Sequence, residues 1–530
     1  MLTVDSLIRK GYFPEELSPI FSTETLADTL NTIIPNMSNF PDKPASATKH
    51  SIPRVKHLRR MLSIPNPLLQ IKLCNTIEDN WNTIDGFLSN TKMTLTKPVI
   101  LQDSKRAVSR LRHYSYIPVQ QALDSTSVRY VLRTDISRFY PTIYTHSIPW
   151  ALHTKEVAKI NRKDALYGNL LDKRVRNSMD GQTLGIPVGP DTSLIIAEII
   201  ATSMDVKLRS RLGDIKGFRY MDDYYLYFST KPEAEFALST LHSIMKDFEL
   251  ELNPNKTFIE ELPVSLEQKW VSELRNYNIR ETVKGQHTDL IGYFSLAFDY
   301  SKKYPNDRVL KYALSRIKNI EIKNENWSLY ESLILNSVIA EPSVISIAAL
   351  IFYKQKDEGQ IINTSLISDT ITEIIMNSVK FNYDNEVAWS LWMSKLLNTE
   401  VKESAAIEIS KSDDNVVALA ALDLLNSNLI PRGLDNRKWK SIMKSSELYT
   451  DNWLLAYEAN VKGWLPSASG RDYVSSDGFF GMLKANSVEF YRGVTPLIPA
   501  PLIAEETRDA EDTTDNVGND TLDQDETIDY

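Results

Sequence analysis

The sequence predicts an α/β domain with an antiparallel sheet, followed by an all-α C-terminal domain. Two observations predict this order. From residue 131 to about residue 300, β-rich runs alternate with segments of helical periodicity. From residue 305 to residue 465, strand signals are few, and amphipathic segments are separated by short turns that contain Asn, Asp, Pro or Gly.

Each element of the α/β part follows from its own pattern. Residues 128–136, VRYVLRTDI, are rich in β-branched and aromatic side chains and predict a strand. Residues 193–212 and 233–250 repeat apolar side chains at helical spacing and predict two helices. Between these helices, residues 217–230 read GFRYMDDYYLYFST, two short β-rich runs around an acidic pair, which is typical of a β-hairpin.

The C-terminal half carries the second kind of pattern. Apolar side chains recur there every three or four residues, which predicts paired helices similar to an α-solenoid, although no fixed period is visible. The five segments with the strongest helical pattern are residues 307–320, 327–339, 386–398, 415–427 and 452–462.

Composition limits the classes of function. A single cysteine, Cys74, excludes a disulfide framework or a Cys-rich zinc site and fits a reducing compartment. The chain of 530 residues has no apolar run long enough to span a membrane, and its first residues lack the basic and apolar regions of a secretory signal. These features predict a soluble cytoplasmic protein with no membrane partner.

Charge is unevenly distributed along the chain. The net charge is −9, but residues 501–530 alone carry eleven acids and one arginine, whereas residues 51–220 carry a net charge of +12. A basic block of this kind favours a polyanionic partner, because lysine and arginine neutralise phosphates and release counterions. A solvated basic surface would give the same count, so charge alone leaves both interpretations open.

The strongest chemical signal is the adjacent pair Asp222–Asp223 in the predicted hairpin. Two neighbouring carboxylates repel each other, and a turn needs only one Asp or Asn. A divalent cation removes that repulsion, and Mg²⁺ prefers carboxylate oxygens. Asp135 lies at the end of the β-rich run of residues 128–136, one position before its last residue, and supplies a further carboxylate. Carboxylates on different strands that hold two metal ions form the arrangement used in phosphoryl transfer.

Five motifs occur in the order and the approximate spacing of the palm motifs of reverse transcriptases. The motifs are Asp135 with Tyr140, GIPVGPDTSLIIAEI, YMDD, LNPNKT and LIGYF. The sequence therefore resembles this family from about residue 50 to residue 300. Within the last motif, Gly292 and Tyr293 match the primer-grip turn.

The resemblance and the patterns together divide the chain into four regions. Residues 1–130 correspond to an N-terminal segment and basic, loop-rich fingers, and residues 131–304 to the palm with a polymerase active site. Residues 305–500 form the helical, repeat-like domain. Residues 501–530 are acidic and poor in aromatic side chains, which predicts disorder.

The resemblance assigns roles to the residues that match the motifs. It implies Asp135 and Asp222 as the principal ligands of two divalent ions, Mg²⁺ or alternatively Mn²⁺, with Asp223 alongside. It implies Tyr140 as an aromatic gate that excludes a ribose 2′-OH and so favours dNTPs. It places Lys256 near the leaving pyrophosphate, where a cation stabilises developing charge or donates a proton.

Further candidates concern the nucleotide. Gly185, Pro187 and Gly189 match the loop before the helix that lies under the template and the incoming base, where glycine lets the backbone approach the nucleic acid. Lys105 and Arg106 are the fingers candidates for gripping the triphosphate. Other basic side chains of the same region could serve equally well: Arg54, Lys56, Arg59, Arg60, Arg110 and Arg112.

One departure from the family pattern narrows the resemblance. Val188 stands where many reverse transcriptases carry Gln. With the SLIIAEI helix, it resembles the prokaryotic abortive-infection and defence-associated (unknown-group) reverse transcriptases, which pair the polymerase with a helical, repeat-like C-terminal domain. That resemblance implies antiphage defence and DNA synthesis, in some members without an added template and with a protein tyrosine as primer. Tyr473, Tyr491 and Tyr530 lie outside the palm and are candidates for such a primer.

Two other functions stay open. One is a retron- or intron-like reverse transcriptase that copies a specific RNA, although the seven histidines form no HNH-like nuclease cluster. The other is a non-catalytic nucleic-acid-binding scaffold, against which the intact carboxylates argue. A Walker-type NTPase is excluded by the absence of a GxxxxGK[ST] loop. The expected partners are dNTPs, an RNA template or noncoding RNA, and a DNA product, and the helical surface favours a homo-oligomer or a partner protein.

Overall fold

The computed structural model describes residues 1–55, 58–467 and 470–492. The predicted acidic tail, Tyr530 and Lys56 lie outside these residues. Within them the chain divides into two compact units, one of residues 1–276 and 363–492 and one of residues 277–362. None of the helices in the described ranges is both long enough and apolar enough to cross a membrane.

The N-terminal part is more regular than its basic, turn-rich sequence suggests. A long β-hairpin and three helices occupy much of the region predicted to be loop-rich, residues 51–130. The elements in chain order are α1 (Val4–Arg9), α2 (Glu24–Asp28), α3 (Leu30–Ile33), β1 (Thr48–Val55), β2 (Leu58–Ile64), α4 (Pro67–Asp79), α5 (Trp81–Leu88), β3 (Pro98–Val99), β4 (Ser109–Arg110) and α6 (Ile117–Asp124).

The palm region has the predicted strands, hairpin and helices. Its elements in chain order are β5 (Tyr130–Asp135), α7 (Phe139–Thr142), α8 (Ser147–His153), α9 (Lys155–Ile160), α10 (Tyr167–Asn177), α11 (Asp191–Leu212), β6 (Lys216–Tyr220), β7 (Asp223–Phe228), α12 (Lys231–Asp247), β8 (Phe258–Glu261) and α13 (Lys269–Asn276). Local signals set the N-terminal end of α12, because Thr230 and Glu233 form a capping box around Pro232.

Strands β5 to β8 form one antiparallel sheet in the order β6-β7-β5-β8. Helix α12 packs against β5 and β7 on one face. On the other face, an aromatic cluster that includes Phe218, Tyr225 and Tyr227 is covered by Ile117 of α6 and by Leu95. Most residues of the central strands β5 and β7 are thus buried, whereas Asp223, at the start of β7, is partly exposed.

The described residues after α13 are mainly helical, as predicted from residue 305 onward. Helices α14 (Val283–Lys303), α15 (Val309–Ile317), α16 (Trp327–Ala340) and α17 (Ile345–Asp357) belong to the second unit. Helices α18 (Thr364–Ser378), α19 (Asp384–Leu397), α20 (Glu403–Ile409), α21 (Asn415–Asn426), α22 (Arg437–Lys440), α23 (Trp453–Val461), α24 (Tyr473–Ser476) and α25 (Gly478–Ala485) belong to the first. All five segments with the strongest helical pattern are helices, and the α/β plus all-α fold class is confirmed.

The C-terminal helices pack on the β1–β2 hairpin, within the first unit. Arg59 of β2 donates two hydrogen bonds to Glu386 of α19, at 2.5 and 2.7 Å. His50 of β1 lies 2.9 Å from the carboxylate of Asp414, and the indole of Trp453 donates to the Ile64 carbonyl at 3.0 Å. Because of these buried contacts, helices α18 to α25 belong to the same compact unit as the β1–β2 hairpin. The predicted domain boundary between residues 304 and 305 falls inside the second unit.

Candidate active site

Two of the three predicted carboxylates face each other across neighbouring strands. Asp135 is the last residue of β5 and Asp223 the first of β7, and they are directly paired in the antiparallel register. Directly opposed residues project to the same face of a sheet with their Cβ atoms about 5 Å apart. The Asp135 side chain is almost entirely buried, whereas 39% of the Asp223 side chain is exposed.

Asp222 lies in the two-residue turn that joins β6 to β7. Tyr220 and Asp223 are the last paired residues of this hairpin, and Met221 has a positive φ of 55°. The backbone N–H of Ile136 donates to the Asp222 carbonyl at 3.1 Å, which holds the turn beside the end of β5. All three carboxylates therefore lie at one end of the sheet.

Lys256 reaches the same end from the segment before β8. Two backbone hydrogen bonds tie this segment to the end of β5, from Asn253 N–H to the Asp135 carbonyl at 2.9 Å and from Ser137 N–H to the Glu251 carbonyl at 2.8 Å. The Lys256 ammonium donates to Asp135 Oδ2 at 2.6 Å and lies 3.9 Å from Asp223 Oδ1. About half of the lysine side chain stays exposed, so it can also meet a substrate.

The electrostatics of the carboxylates follow from burial and from their proximity. Burial raises the pKa of Asp222, and the negative charge of Asp135 raises it further, against the opposing charge of Lys256. Burial, then the charge of Asp222, raises the pKa of Asp223 to about 6. Burial lowers the pKa of Lys256, but the hydrogen bond to Asp135 and the nearby carboxylates outweigh it, so the net shift is upward. The site holds more negative charge than one lysine neutralises.

The donor atoms fit a divalent cation that the substrate helps to bind. Asp135 Oδ1 is buried and has no hydrogen-bond partner among the described residues, so one lone-pair acceptor of the carboxylate is unused. In the same ranges, no three His, Cys, Asp or Glu side chains form a ready-made metal cage. Mg²⁺ does not need such a cage, because it is usually bound by one or two carboxylates with water and substrate phosphates.

The predicted nucleotide loop lies against the segment that follows β5. Gly185 N–H donates to the Ile143 carbonyl at 2.8 Å, and Ile186 N–H donates to the Tyr140 carbonyl at 3.0 Å. Gly185 has a φ of +87°, a conformation that a side chain would strain. Tyr140 and this loop are thus joined directly. Burial, then the charge of Glu198, raises the Tyr140 pKa well above its usual range, so the phenol is neutral.

The end of this loop is also tightly fixed. Pro187 is buried, and Gly189 has a φ of +126° and lies so close to Pro14 that a Cβ atom would overlap the proline ring. The Val188 carbonyl accepts a hydrogen bond from Ser63 N–H of β2 at 2.9 Å, which connects the loop to the fingers hairpin. Neighbours on both sides therefore hold the Pro187–Gly189 backbone in one conformation.

Of the two predicted fingers residues, Arg106 is occupied within the protein. Its guanidinium donates to Asp191 Oδ1 at 2.9 Å, to the Phe13 carbonyl at 2.8 Å and to the Gly189 carbonyl at 3.2 Å. These contacts fix the nucleotide loop at the start of α11, so the arginine acts on the site through that loop. Lys105 is exposed.

Two other arginines act electrostatically on the site. The charge of Arg60 on β2 opposes the upward pKa shifts of Asp222 and Tyr140, and the charge of Arg110 on β4 does the same at Tyr140 and Tyr220. Both arginines are exposed. The sequence could have distinguished Arg60 from Arg59 in one way. Successive side chains of a strand point to opposite faces, so the two neighbouring arginines cannot both face the same partner.

Other predicted residues lie in structural surroundings. Gly292 and Tyr293 lie inside helix α14, so the predicted primer-grip turn is wrong, and the Tyr293 hydroxyl donates to the Ala313 carbonyl at 2.9 Å. Tyr473 and Tyr491 are buried. Their hydroxyls donate to the Ala456 carbonyl and to Asp423 respectively.

Comparisons with known proteins find a family match over the palm region and similarity to solved structures. The family model described as reverse transcriptase (RNA-dependent DNA polymerase) matches residues 50–280, a range that contains the three carboxylates and Lys256. No curated protein matches the chain. Similar solved structures include telomerase from Candida albicans in complex with a TWJ fragment of telomeric RNA, with 10% identity, 66% of each chain covered and a TM-score of 0.28. Another is apo telomerase from Candida tropicalis, with 10% identity, 72% of this chain and 76% of that chain covered and a TM-score of 0.31. The chain spans just under two thirds of the length of the first.

Proposed function

We propose that this chain adds dNTPs to a growing DNA strand at Asp135, Asp222 and Asp223. Residues 50–280 match the reverse transcriptase family model, and a reverse transcriptase domain is an RNA-directed DNA polymerase and therefore a nucleotidyltransferase. The observation that carries the proposal is the pairing of Asp135 with Asp223, together with a buried Asp135 Oδ1 that has no hydrogen-bond partner in the described part of the chain. A scaffold without catalysis would have no use for this unneutralised charge.

The residues divide the work of phosphoryl transfer among them. Asp135 and Asp222, with Asp223 alongside, would hold two divalent ions, Mg²⁺ or Mn²⁺, and such ions activate the attacking oxygen and stabilise the triphosphate. Lys256, half exposed and 2.6 Å from Asp135, donates a hydrogen bond or a proton to the departing pyrophosphate. The exposed guanidinium of Arg60 offers a paired donor for the triphosphate.

The more specific proposal is that this DNA synthesis serves antiphage defence, with a protein tyrosine as one candidate primer. Two features of the chain support the proposal: Val188 in place of the usual Gln, and the helical C-terminal region packed on the fingers hairpin. The proposed cytoplasmic location is supported by the reduced, buried Cys74. Burial of Tyr473 and Tyr491 argues against both as the priming nucleophile.

A survey of primers and templates tests the proposal. Purified full-length protein is incubated with Mg²⁺ and labelled dNTPs, with and without RNA, before and after nuclease treatment of co-purifying nucleic acid. We expect incorporation, and label that survives denaturation but is released by protease would show protein priming. Label found only in free DNA, and only with one particular RNA, would instead favour a retron- or intron-like enzyme. No incorporation under any condition would overturn the polymerase proposal.

Replacing the gate tyrosine should change the choice of sugar. In Tyr140→Val, the aromatic ring is lost from the residue whose carbonyl accepts from Ile186 N–H of the nucleotide loop, so we expect incorporation of rNTPs to rise at least about tenfold relative to dNTPs. One lost clash of about 1.4 kcal/mol corresponds to that factor. The measurement is kcat/KM for a dNTP and for the matching rNTP, with Tyr140→Phe as the control that keeps the ring. Unchanged selectivity in Tyr140→Val would exclude the gate.

A further inference from the structure

The turn that carries Asp222 begins with a strained residue. Met221 has a φ of 55° in a two-residue hairpin turn, at a position where glycine is preferred. Both of its backbone polar groups are held. The Met221 N–H donates to Thr96 Oγ1 at 3.1 Å, and the Met221 carbonyl accepts from Arg219 Nη1 at 2.8 Å.

Arg219 is fully buried beneath the turn and uses its whole guanidinium. Nη1 and Nη2 donate to the two carboxylate oxygens of Glu198 at 3.0 and 2.9 Å. Nε and Nη2 donate to Asp205 at 3.1 and 3.0 Å. With the bond to the Met221 carbonyl, all five N–H groups have acceptors, which fixes the plane of the guanidinium.

Helix α11 supplies both carboxylates of this network. Glu198 and Asp205 are seven residues apart, which places them on one face of the helix, two turns from each other. The Tyr224 hydroxyl of β7 donates to Asp205 Oδ1 at 2.9 Å. On the other side, Thr94 and Thr96 donate to Glu198 at 3.1 and 2.6 Å. Every charged group in the network is therefore hydrogen-bonded, as burial requires.

Thr96 is held in place by the segment before it, which runs along the edge of the sheet. Leu95 N–H donates to the Arg219 carbonyl at 2.9 Å, and Arg219 N–H donates to the Met93 carbonyl at 2.8 Å. Thr94 and Arg219 form a parallel bridge, and Thr96 is completely buried. The Thr96 hydroxyl therefore reaches the turn from a fixed backbone.

We propose that Thr96 is a positioning residue for DNA synthesis, a role that rests on the proposed function. Its single hydroxyl donates to Glu198 and accepts from Met221 N–H, so it connects the buried network to the turn that presents Asp222 and Asp223. Without this acceptor the strained Met221 loses one of its two anchors, and the carboxylates lose their fixed position. Catalysis is sensitive to such shifts, because the reacting groups must be held in one geometry.

Three substitutions separate positioning from support of the core. Thr96→Val keeps the shape and removes the hydroxyl, and Thr96→Ser keeps the hydroxyl. Thr94→Val is the matched control, because the Thr94 hydroxyl donates to Glu198 and accepts from Thr96 N–H, so its loss disturbs the same network but leaves the hydrogen bond between Met221 and the Thr96 hydroxyl in place. We expect kcat of Thr96→Val to fall at least about tenfold with KM for the dNTP within about twofold. Thr96→Ser and Thr94→Val should stay within about threefold of the wild-type kcat.

A second readout keeps the inference testable if the wild type incorporates no dNTP, a result that would overturn the proposed function. Binding of Mn²⁺ alone, followed by the electron paramagnetic resonance signal of the free ion, should be several-fold weaker in Thr96→Val than in the wild type, Thr96→Ser and Thr94→Val. Thermal unfolding shows that each variant is folded. Equal kcat and Mn²⁺ affinity in Thr96→Val and the wild type, or equal losses in Thr94→Val and Thr96→Val, would overturn the inference.

Discussion

Replacing Asp222 by Asn is expected to lower dNTP incorporation about a thousandfold. A metal ion contributes several kcal/mol of transition-state stabilisation, and each 1.4 kcal/mol is about a factor of ten in rate. The amide keeps the shape of the side chain but removes the charge that would hold the ion. Single-turnover incorporation, measured with saturating template and dNTP, gives the rate directly. Asp135→Asn should have the same effect, because its buried carboxylate is proposed as the other principal ligand.

The same substitution should not destabilise the protein. Asp222 is half-buried near Asp135 and Asp223, and removing one of three neighbouring charges relieves their repulsion. We therefore expect the thermal midpoint of Asp222→Asn to equal or exceed that of the wild type. Glu261→Gln is the control, because this glutamate lies on β8 of the same sheet but pairs with Arg129 at the surface. A folded Asp222→Asn variant with wild-type incorporation would contradict the assignment.

The palm could be predicted because its signals are local. The strand that ends in Asp135 and the hairpin around Asp222 are each indicated locally, by β-rich residues and a turn. Their pairing joins residues far apart in the chain, and the order of the palm motifs predicted that the carboxylates share one site. Helix α4 gave no such signal. Ten of its thirteen residues are buried, and these include Gln70, Lys72 and Thr76, so the sequence lacks the regular alternation of apolar and polar faces that marks an amphipathic helix.

Most of the features that could not be predicted from the sequence depend on contacts between residues far apart in the chain. Arg106 and Asp191 are 85 residues apart, and nothing near Arg106 indicates that its guanidinium is already occupied. The helical pattern of residues 386–398 predicted α19, but an amphipathic stripe does not say what will cover it. The structure shows that the β1–β2 hairpin covers part of it, through contacts such as Arg59 with Glu386, 327 residues away.

Substitution of Arg59 by Met is expected to destabilise the first unit by about 3–5 kcal/mol, the range for breaking a buried ion pair. Glu386 is the more buried partner, 4% exposed against 15% for Arg59, so losing the arginine leaves an unpaired buried carboxylate. Arg59 also loses its contact over the Tyr383 ring. Glu386→Leu should destabilise the unit less, because the longer arginine side chain can turn toward water. Urea unfolding, followed by tryptophan fluorescence to which Trp389 and Trp392 on α19 contribute, gives the free energy of unfolding of each variant.

The double substitution Arg59→Met with Glu386→Leu decides whether the pair itself carries the effect. Replacing both charges with apolar side chains of similar size removes the unpaired carboxylate along with its partner, so most of the lost stability should return. Arg129→Met, in a surface pair with Glu261, should change stability by less than about 0.5 kcal/mol. If the double variant is as unstable as the sum of the single ones, the two charges act independently. The C-terminal helices would then be held on the fingers hairpin by packing and by the remaining bonds of β1, not by this ion pair.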